Sequence, residues 1–162
     1  MIDEEAISRL CDSLSLHPAP HPDHSQSLNN LANALRDRFR KIRSTTDLEE
    51  AILLHRESLS LRPTPDLDRS QSLNNLAKAL QAHFRANRRH DRFRKTGSMT
   101  DLEEAISMLC ESLSLCPTTH PGHRQVLQGL ARALETQSKA SGIQSDLSEA
   151  SSLRQEAHAM SS

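Results

Sequence analysis

The chain repeats itself. EEAI stands at 4–7, 49–52 and 103–106, with a weaker SEAS at 148–151. DSLSL at 12–16 returns as ESLSL at 57–61 and 111–115. SQSLNNLA at 25–32 returns at 70–77, and as RQVLQGLA at 124–131. Ala6, Ala51, Ala105 and Ala150 mark a common register with spacings of 45, 54 and 45 residues. A unit of this length cannot bury an apolar face alone, but stacked copies can, which is the physics of a solenoid.

The long middle spacing has a location. Asp37-Arg38-Phe39-Arg40-Lys41 matches Asp91-Arg92-Phe93-Arg94-Lys95, while AHFR at 82–85 occupies the place of DRFR at 37–40. The nine extra residues therefore fall between Ala82 and Asp91. They advance a continuous helix by about 900°, half a turn out of phase. The insert contains no Gly or Pro, so a helix projecting past its neighbours is favoured over a break near 88–90.

Each unit reads as two helices. Leu48, Ala51, Ile52, His55 and Leu59 fall at helical spacing, and Pro18, Pro63 and Pro117 stop the first helix of each copy. Asp47/Glu50, Asp101/Glu104 and Asp146/Glu149 have the spacing of a reciprocal N-terminal cap. The second helix carries Leu28, Leu31, Ala32, Leu35 and Phe39 on one stripe. Its later copies are Leu73, Leu76, Ala77, Leu80 and Phe84, then Leu127, Leu130, Ala131 and Leu134. Helices are expected at roughly 3–16, 23–42, 47–61, 68–90, 101–115, 121–139 and 146–159.

Composition agrees. There are 24 Leu against one Val and six Ile, no Trp or Tyr, and four Gly in 162 residues. Strands are normally built from the residues missing here. The reading is all-α: a right-handed α-solenoid of antiparallel helix pairs, seven helices in one repeat domain over 1–162. The units are about 1–45, 46–99 and 100–144, with a final helix at 145–162. Mean hydropathy is −0.62 and no apolar run approaches the roughly 18 residues of a membrane span. A net charge of −1 exerts no global pull on nucleic acid or anionic lipid. Three cysteines without paired spacing and an acidic start (MIDEEAISRL) suggest a reducing, cytoplasmic setting with no secretory leader.

Leu28-x2-Leu31-Ala32-x2-Leu35, followed by Ala51 and then Pro63, resembles the tetratricopeptide pattern, with Leu in place of the usual aromatics. The period is longer than the family's 34 residues. His21-Pro22-Asp23 running into Ser27-Leu28-Asn29-Asn30-Leu31-Ala32 is similar to the longer repeats of kinesin light chains. It also resembles arrays in large fungal proteins that carry CHAT or nucleotide-binding domains. The resemblance spans essentially the whole chain. It implies a non-enzymatic scaffold for a protein or peptide, and no particular partner.

In that family the second helix lines a groove, which implies a polar peptide-binding face. Here this face would be Gln26, Asn29, Asn30, Asn33 and Arg36 in the first copy. It continues as Gln71, Asn74, Asn75 and Lys78, then Gln125, Gln128 and Arg132. Asn and Gln can pair with both donors and acceptors of a peptide backbone. Amides bracing the loops explain the same residues structurally. The family's chaperone-type carboxylate clamp would place cations at Asn29, Gln125 and Gly129, so that ligand is not expected.

Arg85, Arg88, Arg89, Arg92, Arg94 and Lys95 form the one strong charge run, and a phosphorylated or nucleic-acid partner is the alternative reading. Only Phe84 and Phe93 could stack on bases there, so nucleic acid is disfavoured. A third reading is a purely structural fragment of a longer regulatory array. His21-x2-His24 and His120-x2-His123 read as helix-start turns rather than metal ligands. Cys11 and Cys110 share a repeat position with Arg56 and Gln155, hence an exposed one. No phosphate loop, nucleophile elbow or acid pair is present, so neither a catalytic residue nor a cofactor is expected. The last helix exchanges Ile106, Leu109 and Leu113 for Ser151, Arg154 and His158, as a solenoid end facing water would. The first helix keeps Ile7, Leu10 and Leu14, an apolar outer side from which self-association is expected.

Overall fold

The computed structural model describes residues 2–19, 21, 23–63, 67–90 and 99–160. The described residues form seven helices: α1 Ile2–Leu16, α2 His24–Ile42, α3 Thr45–Ser60, α4 Leu67–His90, α5 Met99–Leu115, α6 His123–Ser141 and α7 Ser145–Ala159. The fold is all-α, made of packed helix pairs, the element from which solenoids are built. The chain divides into two compact units, Met1–Thr64 with α1–α3 and Pro65–Ser162 with α4–α7.

The most extensive packing joins α2 to α3, α4 to α5 and α6 to α7. Grouping by chain order pairs α1 with α2 and leaves α7 single. The packing instead pairs each second helix with the first helix of the next copy, and the odd helix is α1. Short connections accompany the first and last of these pairs. Two residues join α2 to α3, whereas residues 17–23 separate α1 from α2. The α2 terminus turns at Arg43 in the left-handed region, with its N–H on the Phe39 carbonyl at 2.8 Å. The equivalent position after α6 is Gly142, which adopts the same conformation without a Cβ and closes on the Ser138 carbonyl at 2.7 Å.

The Leu stripes form the core. Leu28, Leu35, Leu48, Leu73, Leu76, Leu80, Leu102, Leu109 and Leu127 are almost fully enclosed, as is Phe84. In unit 1, Ile7, Leu10 and Leu14 of α1 pack partly buried against Leu31, Ala32, Leu35 and Ala51. The outer side expected to be bare is thus partly covered within its own unit. Helix α4 continues unbroken to His90. Phe93 and the rest of 91–98 lie outside the described residues.

The aspartates do not cap. Helices α3, α5 and α7 begin at Thr45, Met99 and Ser145, so Asp47, Asp101 and Asp146 already lie inside the first turn. Neither Ser44 before α3 nor Gln144 before α7 makes a side-chain cap bond. Asp47 instead reaches back to α2, where the Arg38 guanidinium grips it at 2.7 and 2.8 Å. This pair raises the Arg38 pKa. One copy later His83 Nδ1 meets Asp101 at 2.8 Å. Each contact ties the last turns of one helix to the first turn of its partner, where a carboxylate also suits the helix dipole. In the third copy the same position is Gln137, and Asp146 Oδ2 is enclosed without a hydrogen-bond partner among the described residues.

Restoring the cation should restore the tie. Gln137→Arg is expected to stabilise the chain by about 1 kcal/mol in urea unfolding. A variant no more stable than its parent contradicts this account of the aspartates.

Candidate functional site: the polar faces of the second helices

The second helices bury one stripe and present another. Positions 26, 30, 33, 37 and 40 of α2 lie on one face by helical spacing, and the same face recurs on α4 and α6. Its N-terminal position is glutamine in every copy: Gln26, Gln71 and Gln125, all exposed. Its C-terminal position is basic in every copy: Arg40, Arg85 and Lys139, again exposed. The recurring cation was legible only by stacking the copies in register, because Arg85 also belongs to a conspicuous charge run and Arg40 and Lys139 do not. Burial and the nearby Arg132 lower the Arg85 pKa, so basic groups of α4 and α6 approach one another in unit 2.

The predicted groove residues divide into three groups. Asn29, Asn74 and Asn75 are buried, a correction to the exposed lining expected for them. In unit 2 the reason is geometric: α4 is covered by α6 as well as by α5. A Cβ on Gly129 of α6 would lie 3.6 Å from Asn74 Oδ1 and 3.1 Å from Leu109 Cδ2. That Asn74 oxygen has no hydrogen-bond partner among the described residues. Asn33, Arg36 and Lys78 are half-buried, with Asn33 Oδ1 and Arg36 Nη1 enclosed and unbonded among the described residues. Gln26, Asn30, Gln71, Gln125, Gln128 and Arg132 are exposed.

Some exposed amides brace the fold. Gln26 donates to Asn30 Oδ1 at 2.9 Å and accepts from Arg62 at 2.8 Å, and Gln71 donates to Asn75 at 3.3 Å. Buried Arg62 also reaches Ser25 Oγ at 3.1 Å, while Ser58 Oγ donates to the Ser25 carbonyl at 2.7 Å. The corresponding latch in unit 2 is Ser70 with Ser112, with Arg69 paired to Glu111 at 2.9 Å beside it. Of the basic run, Arg85 and Arg88 are exposed, and the Arg88 guanidinium lies 5.7 Å from the Phe84 ring centroid. The Arg89 side chain and Arg92, Arg94 and Lys95 lie outside the described residues.

The histidine pairs build turns. Nδ1 of His24 donates to the His17 carbonyl at 2.6 Å, and Nδ1 of His123 to the Cys116 carbonyl at 2.8 Å. His21 and His120 accept the backbone N–H of Asp23 at 3.1 Å and of Gly122 at 3.0 Å. His17, His21 and Asp23 bring one potential ligand atom each within 4.8 Å of the others. The equivalent turn makes the same bonds with Cys116 and Gly122 at two of those positions, so its folding has no need of a metal. Cys11 and Cys110 are exposed, as the register predicts, and Cys116 is buried.

Residues 25–66, which span α2 and α3, match the family model of the tetratricopeptide repeat. Two solved structures resemble the chain: a Podosopora anserina protein described as a kinesin light chain with nearly identical tetratricopeptide-like repeats, and a point variant of it. Each is 17% identical over 98% of this chain and has a TM-score of 0.42. The match covers 87% of the first chain and 86% of the second. No curated relative matches the sequence. The later copies carry residues of the matching segment in the same register. Repeats of this family generally mediate protein–protein interaction.

One residue of the first-helix stripe is titratable. His55 sits where other copies have Leu10, Leu109 and Arg154, and it is fully buried with neither ring nitrogen bonded among the described residues. Burial, then the nearby Arg36 charge, pushes its pKa down to about 3. Below pH 6.5 the unfolded chain binds a proton here that the folded chain refuses. Stability is therefore full above pH 6.5 and falls on acidification toward pH 3. From pH 7 to 5 this group should cost about 2 kcal/mol. His55→Leu should flatten that part of the stability–pH profile, and an unchanged slope in the variant refutes the assignment.

Proposed function

We propose that this chain is a non-enzymatic scaffold that binds extended peptide or protein segments at the polar faces of its second helices, that of α2 in one unit and those of α4 and α6 in the other. The observation that carries this reading is the recurrence of an exposed glutamine at one end of the stripe and an exposed cation at the other in all three copies. Gln71 and Gln125 offer paired donors and acceptors to a peptide backbone. Arg40 in the first unit, and Arg85 and Lys139 in the second, favour ligands that carry carboxylates. Gln26 contributes through the Arg62–Gln26–Asn30 chain of bonds, held in one orientation. No helix of the described residues is long and apolar enough to cross a membrane. The second reading, a binder of phosphorylated partners or nucleic acid through 85–95, draws its support from the exposed Arg85 and Arg88.

The test is affinity capture from cell extract with quantitative mass spectrometry. Two variants are compared with the parent: Gln26→Ala/Gln71→Ala/Gln125→Ala, and Arg40→Glu/Arg85→Glu/Lys139→Glu. Both should keep native helicity and lose the proteins that the parent retains, at about 1 kcal/mol per lost hydrogen bond. Equal recovery by parent and both variants contradicts the stripe. Loss only with the charge variant, together with nuclease-sensitive capture, favours the second reading.

A further inference from the structure

Within unit 2, helix α6 lies against both α4 and α5. The seat it occupies includes Asn74, Gln81 and Leu109, with the Ser70–Ser112 latch between α4 and α5 in the same register rows. Leu109 and Asn74 face Gly129, and the Gln81 amide reaches the Gly129 carbonyl at 3.4 Å. All five are buried. One copy further along, the same register gives Arg124, Gln128, Glu135, Arg154 and Ala157, with His158 in place of Leu113 and Arg132 in place of Lys78. Between α6 and α7 lies an open cleft of about 330 Å³, walled by Arg124, Gln128, Arg132, Arg154, Ala157 and His158. Five of those six are exposed, and Ala157 forms the buried floor.

We propose that the α6–α7 cleft is a docking site for an acidic helix of a partner protein. The shape argument comes from the preceding copy, where the equivalent seat holds a helix. The chemistry argument comes from the substitutions. Leu109 and Leu113 have become Arg154 and His158, and Ser70 has become Arg124. An apolar helix seated here would strip water from arginines without replacing it. A helix with glutamates at i, i+4 and i+8 matches the spacing of Arg124, Gln128 and Arg132 along α6. Arg154 is held across the cleft by Glu135 at 2.7 Å, which fixes its guanidinium while leaving donors free. Among the described residues, Arg124 and Arg132 make no ion pair, and Arg85 adds positive charge beside Arg132. Nucleic acid fits less well, because the cleft holds no Phe, Tyr or Trp ring on which a base could stack. The site shares Gln128 and Arg132 with the groove residues named from sequence but depends on Arg124, Arg154 and His158, which the stripe does not use.

The test is fluorescence anisotropy with a labelled Ala-based helical peptide carrying glutamates at i, i+4 and i+8, and its glutamine counterpart. The glutamate peptide should bind, weaken with added salt, and outbind the glutamine peptide by about tenfold or more. Arg124→Ser/Arg154→Leu/His158→Leu, which installs the residues of the preceding copy, should lower its affinity about tenfold. Arg124→Glu, a single exposed change that leaves the core alone, should do the same in part. Gln26→Ala/Gln71→Ala/Gln125→Ala should leave this binding unchanged, which separates the cleft from the stripe. No binding of the glutamate peptide, equal binding of both peptides, or full affinity in the Arg124→Glu protein would overturn the proposal. So would a single-stranded oligonucleotide that binds the parent more tightly than the glutamate peptide.

Discussion

Close helix crossings built on alanine hold each pair together. Ala51, Ala105 and Ala150 on the first helices and Ala32, Ala77 and Ala131 on the second are buried almost completely. A methyl group is the largest side chain that lets two backbones approach so near while the flanking leucines interdigitate around them. Ala6 has the same register on α1 and is exposed. The residue is thus copied with the repeat, whereas its burial follows from where the helix packs. The leucine stripes, the latches from Ser58 and Ser70, and the aspartate ties all presuppose that close approach.

Repetition also makes the chemistry readable, because one structural position can be followed through several residues. The position that faces Gly129 in unit 2 is Leu109, and the same register position is Leu10, His55 and Arg154 in the other copies. Only in the third pair is it charged and exposed. The tie to the helix start is Arg38, then His83, then Gln137, running from a bidentate ion pair to none. The scaffold tolerates these exchanges since the alanine and leucine positions carry the packing. Binding chemistry can then vary at the faces that packing leaves open, which is how one repeat class serves many partners.

Much of this was legible in the sequence. Helix ends fell within a few residues of expectation because prolines and the 3.6-residue period report directly on local structure. The exposure of Cys11 and Cys110 followed from register alone. Burial of Asn29, Asn74 and Asn75 did not, because a helix covered on two sides carries polar residues on its second buried face, and periodicity shows only the first. The aspartates misled for a related reason. Their spacing to glutamate is that of a cap, but the helices start two residues or one residue earlier, and the cation that claims Asp47 lies nine residues back in another helix. The burial of His55 followed from its place on the first-helix stripe, but its two unbonded ring nitrogens show only when the surrounding helices are placed.

The alanine crossings are tested most directly by comparing equivalent sites of different burial. Ala77→Leu, Ala105→Leu and Ala6→Leu insert the same atoms at three positions of the repeat. Urea unfolding of each, against the parent, should show a loss of about 1–3 kcal/mol or more for Ala77→Leu and Ala105→Leu, and almost none for Ala6→Leu. Equal stabilities across all three variants would contradict the claim that close approach at alanine organises the fold.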